Sequence, residues 1–223
     1  GSSWSASGTL ITARLQISKG FGTQNAAVAA GGSTGSETCL ACVENYDGST
    51  WSAGPNLPQK VRTAGAAGTS NAGLVFGGAI AHPAVTDITQ ELTGTEVNLA
   101  TYKCYLAADS WSAGGNMITG RHLFGSGGSP TAAIANAGSG PGNPAGSALT
   151  EEYNGTSWAT GGNMPFGSEF GQTNGGSQNS YASANFSPQT TCHIEYNGSS
   201  WSDSGATLIN NTFGKQGNTL DRD

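Results

Sequence analysis

The chain has 223 residues, 35% of them apolar and only 10% charged, with 36 glycines and a net charge of −6. That composition can bury one substantial core or a ring of small ones, and it is unlike a charged disordered tail. No apolar run approaches the ~20 residues that cross a bilayer, and no Lys/Arg cluster offers a surface to nucleic acid. At the N-terminus, Gly1-Ser-Ser-Trp4 has no basic stretch followed by an apolar one, so no leader peptide is expected. It reads instead as the back half of a motif repeated downstream as Tyr46-Asp-Gly-Ser-Thr-Trp51, Tyr153-Asn-Gly-Thr-Ser-Trp158 and Tyr196-Asn-Gly-Ser-Ser-Trp201, with a degraded copy at Trp111. An aromatic, an Asn-Gly or Asp-Gly pair, two hydroxyl residues and a Trp predict a β-hairpin, because the central pair tolerates the positive φ of a tight turn.

Taken in order, the first unit runs from Leu10 through Arg14, Gly22 and the small strand Ala26–Ala30 to Gly31-Gly32, then Cys39-Leu-Ala-Cys42, Tyr46 and Trp51. The second has Leu57, Arg62, Gly68, Gly73–Phe76 and Gly77-Gly78, followed by extra residues spread over Ala79 to Tyr105 before Trp111. The third repeats the order with Met117, Arg121, Gly128, Ala132–Ala135, Gly138, Tyr153 and Trp158. In the fourth, Met164 is followed by Ser168 at the arginine place, Gly176, Ser180–Ala184, Phe186, Tyr196 and Trp201. The five Trp lie 47, 60, 47 and 43 residues apart, giving approximate repeats 9–56, 57–116, 117–163 and 164–206 within a single domain, 1–223.

Each unit reads as four short strands. The first carries the arginine, the second is the small apolar strand, the third ends at the tyrosine and the fourth opens with the tryptophan. Helical periodicity is nowhere sustained. A four-stranded unit of this length matches one β-propeller blade, with each Trp covering the gap between neighbouring blades.

The order Arg, Gly, apolar strand, Gly-Gly, Tyr, Trp resembles the kelch repeat of galactose-oxidase-type propellers over essentially the whole chain. The wording Tyr153-Asn-Gly-Thr-Ser-Trp158 followed by Gly161-Gly-Asn-Met-Pro165 is similar to kelch-like repeats in structural proteins of marine bacteriophages. The resemblance implies an all-β, kelch-like β-propeller with four complete four-stranded blades and half-motifs at both ends. Those half-motifs suit either a closing blade shared by the two termini or, preferred here, a segment of a longer repetitive chain.

Copper chemistry of the galactose-oxidase type does not follow from the fold. It needs converging His and Tyr ligands, whereas His82, His122 and His193 are scattered. Glu151 and Glu152 are adjacent on a strand and point to opposite faces, so they cannot act together. Glu44 and Glu195 are expected at solvent-facing edge positions. Arg14, Arg62 and Arg121 are read as one position per unit, bonding carbonyls or an acid within the blade in preference to gripping an anion. The Cys39/Cys42 pair lacks the second pair of a metal site and reads as small strand residues. The Asn-x-Ser/Thr patterns at Asn154, Asn185, Asn197 and Asn210 are incidental to the turns.

Insertions in repeat proteins map to loops and carry contacts, which makes the second unit's insert, with His82, Asp87 and Glu91, the expected binding element. Trp4, Trp51, Trp111, Trp158, Trp201, Tyr46, Tyr153 and Tyr196 are the structural repeat. The function expected is non-enzymatic and without a cofactor: a structural or adhesive module of a virion tail, fibre or other extracellular assembly. Its partners would be protein subunits of an oligomeric assembly and surface carbohydrate, with no nucleic acid and no membrane span. The alternative is a carbohydrate-active or oxidase-like propeller enzyme whose active site lies outside this segment.

Overall fold

The computed structural model describes residues 4–35, 38–81, 83–94, 110–142, 146–168, 171–176, 179–184 and 192–207. All regular structure among them is β, arranged as four four-stranded antiparallel sheets in which strands follow chain order. Sheet 1 holds β1 (Phe21–Thr23), β2 (Ala26–Ala30), β3 (Val43–Tyr46) and β4 (Trp51–Ala53); sheet 2 holds β5 (Gly65–Thr69), β6 (Ala72–Phe76), β7 (Thr89–Thr93) and β8 (Ser110–Ala113). Sheet 3 holds β9 (Gly125–Ser129), β10 (Ala132–Asn136), β11 (Thr150–Tyr153) and β12 (Trp158–Thr160). Sheet 4 holds β13 (Gly171–Gly176), β14 (Asn179–Ala184), β15 (Cys192–Tyr196) and β16 (Trp201–Thr207). No described helix is long and apolar enough to cross a membrane.

The repeated aromatic motif forms the outer hairpin of three sheets, pairing Tyr46 with Trp51, Tyr153 with Trp158 and Tyr196 with Trp201. The turns hold because Gly48, Gly155 and Gly198 take φ of 97°, 93° and 89°, a region that a Cβ disfavours. Sheet 2 departs from the sequence reading. Its third strand includes Thr89-Gln-Glu-Leu92, with Leu92 opposite Trp111 at the tyrosine place. The extra length therefore falls between β7 and β8, at residues 94–109, and not across the whole span from Ala79; residues 95–109 lie outside those described.

Among the described residues there is no single core. Apolar side chains form three clusters, one in each seam between successive sheets. In the middle seam Leu74 and Phe76 of β6 press on Ala133 and Ala135 of β10, so large side chains on one face meet small ones on the next. Trp158 closes this seam on the outside, its ring 4.8 Å from that of Phe76. Full burial of a Phe is worth about 1.5–3 kcal/mol, and each seam collects several such contributions. Backbone bonds lock the same joints: the Gly32, Gly78 and Gly138 N–H groups donate to the carbonyls of Val61, Arg121 and Ser168 in the next unit, each at 2.8 Å.

Candidate functional site: the loop face and the seams beneath it

The β2–β3, β6–β7 and β10–β11 loops emerge beside the segments that lead into β1, β5 and β9, and the predicted arginines sit in those lead-in segments. They precede the first strands and do not lie within them. Arg14 donates to the carbonyls of Cys42 (2.9 Å) and Ala29 (3.3 Å) and pairs with Glu44 at 3.2 Å. Arg121 repeats this with Leu149 (3.0 Å), Ala135 (3.3 Å) and Glu151 (3.0 Å). Each carboxylate also accepts two backbone N–H groups of the lead-in segment: Ile11 and Thr12 on Glu44, Ile118 and Thr119 on Glu151. Both pairs are buried, so Glu44 is not the solvent-facing residue the sequence led us to expect. Burial lowers the Arg121 pKa below arginine's ordinary value, and the Glu151 charge opposes that shift.

Arg62 is not the third member. Backbone pairing aligns Leu15 with Ser33, Arg62 with Ala79 and His122 with Ser139, so the residue equivalent to Arg14 and Arg121 is Val61. In sheet 2 the glutamate place is taken by Gln90, which accepts only the Gln59 N–H (2.8 Å), because Pro58 stands where Ile11 and Ile118 donate. The ion pair and its extra donor have thus been lost together. Arg62 instead reaches the Gln16 side chain at 3.2 Å. Gln16, Thr63 and Leu123 all have left-handed backbones, with φ of 52°, 51° and 57°. They are linked in series, Thr63 N–H to the Gln16 carbonyl (3.0 Å) and Leu123 N–H to the Thr63 carbonyl (3.4 Å). A non-glycine residue in this region costs on the order of 1–3 kcal/mol. No residue type announces these positions in the sequence.

The seams carry a second recurring set. Tyr153 donates to Glu91 of the preceding sheet and Tyr196 to Glu152, while the Trp158 and Trp201 indoles donate to Thr89 and Thr150, each at 2.9 Å. Burial first, then the hydrogen bond and charge of the glutamate, push Tyr153 up to about 12 against the opposing Gly115 N–H. Tyr196 is likewise pushed up to about 12 by burial and by Glu152, with the Gly162 N–H opposing. Between sheets 1 and 2 the set is replaced as a block: Asn45 for the glutamate, Val43 for the threonine, Pro55 for the glycine and Leu92 for the tyrosine. With no threonine to meet, the Trp111 indole donates to the Pro55 carbonyl at 3.0 Å. Tyr46 and Trp51 are half-buried, Tyr46 bonds Ser7, and Trp4 is fully exposed.

The predicted insert site is not one cluster. Asp87 lies in the β6–β7 loop, where its carbonyl accepts the Met117 N–H at 2.7 Å, whereas Glu91 is in strand β7 and serves the seam. His82 lies outside the described residues. His122 contacts the Ser139 carbonyl through Nδ1 at 3.1 Å. Cys39 and Cys42 are free thiols, Cys39 buried and Cys42 in contact with the Arg14 guanidinium. Among the described residues no three His, Cys, Asp or Glu converge as a metal-holding group. An open cavity of about 390 Å³ lies on the loop face of sheet 3, lined by Thr119, Arg121, Gly138, Pro141, Gly142 and Leu149 among others. Its wall is mostly glycine and small or apolar side chains, with the Arg121 side chain at its edge already engaged by Glu151.

No protein-family model and no curated protein matches the chain. The solved structure of YjhT does match, with a TM-score of 0.63 and 12% identity over 83% of this chain and 68% of that one. The likeness is one of fold, and the four sheets form a propeller-like array of blades.

Proposed function

We propose that the chain is a non-enzymatic structural or adhesive module, a kelch-like propeller segment of four complete blades, in a virion tail, fibre or other extracellular assembly. One observation carries the reading. The recurring charged side chains are spent on holding the array together: Arg14 with Glu44 and Arg121 with Glu151 inside sheets, Glu91 and Glu152 across seams. Among the described residues, the loop-face cavity of sheet 3 is walled mostly by glycine and small or apolar side chains. A shallow wall of this kind suits the broad, individually weak contacts made with surface glycans and neighbouring subunits.

The test pairs the mass of the natively purified particle with that of its denatured full-length chain, and adds a glycan-binding screen with a parallel assay for hydrolysis and oxidation of the bound sugars. A large symmetric assembly, or glycan retention without turnover, is expected. A free monomer of this length that turns over a sugar would overturn the proposal.

A further inference from the structure

We propose that Asn154 and Asn197, but not Asn174, are sites of self-catalysed deamidation to aspartate, with water as co-reactant, in hairpin turns already built to hold a carboxylate. The chain has three Asn-Gly pairs, at 154, 174 and 197. Two occupy the same turn in successive sheets. Asn154 Oδ1 accepts the Thr156 and Ser157 N–H groups, both at 2.9 Å. Asn197 Oδ1 accepts Ser199 and Ser200 N–H at 3.0 Å and the Ser199 hydroxyl at 3.1 Å.

Sheet 1 shows what the product looks like, because Asp47 stands at the equivalent place. Its Oδ1 accepts the Ser49 and Thr50 N–H groups at 2.8 Å and the Ser49 hydroxyl at 2.9 Å, and Oδ2 takes the Thr50 hydroxyl at 3.0 Å. Those donors, the Thr50 N–H foremost and then the Ser49 N–H, hold the Asp47 carboxyl well below the usual carboxylate range. Convergent backbone N–H groups form an anion seat, and in sheets 3 and 4 that seat is occupied by a neutral amide.

The same donors assist the chemistry. The following glycine nitrogen attacks the Asn Cγ and gives up its proton, the amide leaves as ammonia, and a succinimide closes. Water then adds at Cγ and breaks its bond to the glycine nitrogen, which regains a proton, leaving aspartate. Two N–H groups on Oδ1 polarise Cγ and stabilise the oxyanion of each addition, as donors aimed at developing charge do elsewhere. Directing water to Cγ yields aspartate in preference to the β-linked isomer. Both asparagines are exposed, and the glycines beside them bring no Cβ to obstruct ring closure. Asn174 lacks this freedom: it is paired with Tyr181 inside strand β13, and Gly175 with Ser180.

The test holds the folded chain, and in parallel the urea-unfolded chain, in mildly alkaline buffer, then maps peptides by a fragmentation that separates aspartate from its β-isomer. Conversion of 154 and 197 to aspartate is expected in the folded chain with 174 intact, whereas unfolding exposes all three. Conversion of 174 at an equal rate in the folded chain would overturn the proposal. So would asparagine retained at 154 and 197 over a time in which the unfolded chain converts, or a β-isomer as main product. The variants N154D and N197D should melt no lower than the parent; a lower melting point would refute the carboxylate seat.

Discussion

Replacing Glu151 by Gln tests whether the Arg121–Glu151 pair holds sheet 3 as a charged unit. Both side chains are essentially excluded from water, and the carboxylate anchors two backbone N–H groups as well as the guanidinium. The substitution leaves a buried cation facing an amide, and stranding one member of a buried pair costs about 3–5 kcal/mol. For a chain of this size each kcal/mol moves Tm by about 2–4 °C, so the variant should melt roughly 6–20 °C lower. The double variant Arg121→Val/Glu151→Gln reproduces what sheet 2 already uses, Val61 and Gln90, both fully buried. The Leu149 carbonyl would keep the Ala137 N–H at 3.1 Å, so only part of the polar network is orphaned. The double variant should therefore recover about 2 kcal/mol relative to the sum of the two single changes. Urea unfolding followed by Trp fluorescence, with Tm in parallel, measures both terms. A single variant within about 1 kcal/mol of the parent would sink the reasoning, as would strictly additive losses, because coupled residues are expected to interact by about 0.5–3 kcal/mol.

Tyr153 and Tyr196 should each ionise near pH 12 in a phenolate-absorbance titration. Because their folded pKa is raised above the unfolded value of about 10, the stability they contribute is complete below that pH and is lost as pH rises through 12; Tyr153→Phe should delete one late step. Thr150→Val would leave the buried Trp201 indole N–H without its acceptor, at a cost of about 1–3 kcal/mol in urea unfolding; no loss would mean the indole finds another acceptor, as Trp111 does at Pro55. Gly128→Ala forces a Cβ toward the Ala132 carbonyl at φ +107°; a loss on the order of 1–3 kcal/mol is expected, and an unchanged melting curve would contradict it.

The fold was legible where residue type dictates backbone. Asn-Gly and Asp-Gly between aromatics gave the outer hairpins, and the short Ala- and Val-rich runs gave β2, β6 and β10. Register was less legible. Counting from Trp cannot separate Val61 from Arg62, and a true arginine position is betrayed only by partners thirty residues on, Glu44 and Glu151. Pro58 and Gln90 were the available clue that sheet 2 had abandoned the ion pair. Glu91 and Glu152 were opaque because their partners belong to the next sheet, and contacts across a seam leave no local pattern. The left-handed backbones at Gln16, Thr63 and Leu123 follow from how units join, a property of no single unit.

The matched sets in the seams bear on how such a gene can change its length. Sheets 3 and 4 each meet the sheet before them through Tyr to Glu and Trp to Thr. Unequal crossing-over between their coding segments would therefore yield a chain one unit longer or shorter in which a joint still meets a matching neighbour wherever the third strand before it is that of sheet 2 or sheet 3, whereas sheet 4 has His193 at the threonine place. The same exchange at the first joint would set Asn45 and Val43 against a tyrosine and an indole that need Glu and Thr. Among these four sheets, growth and loss by recombination should be favoured at the second and third joints over the first.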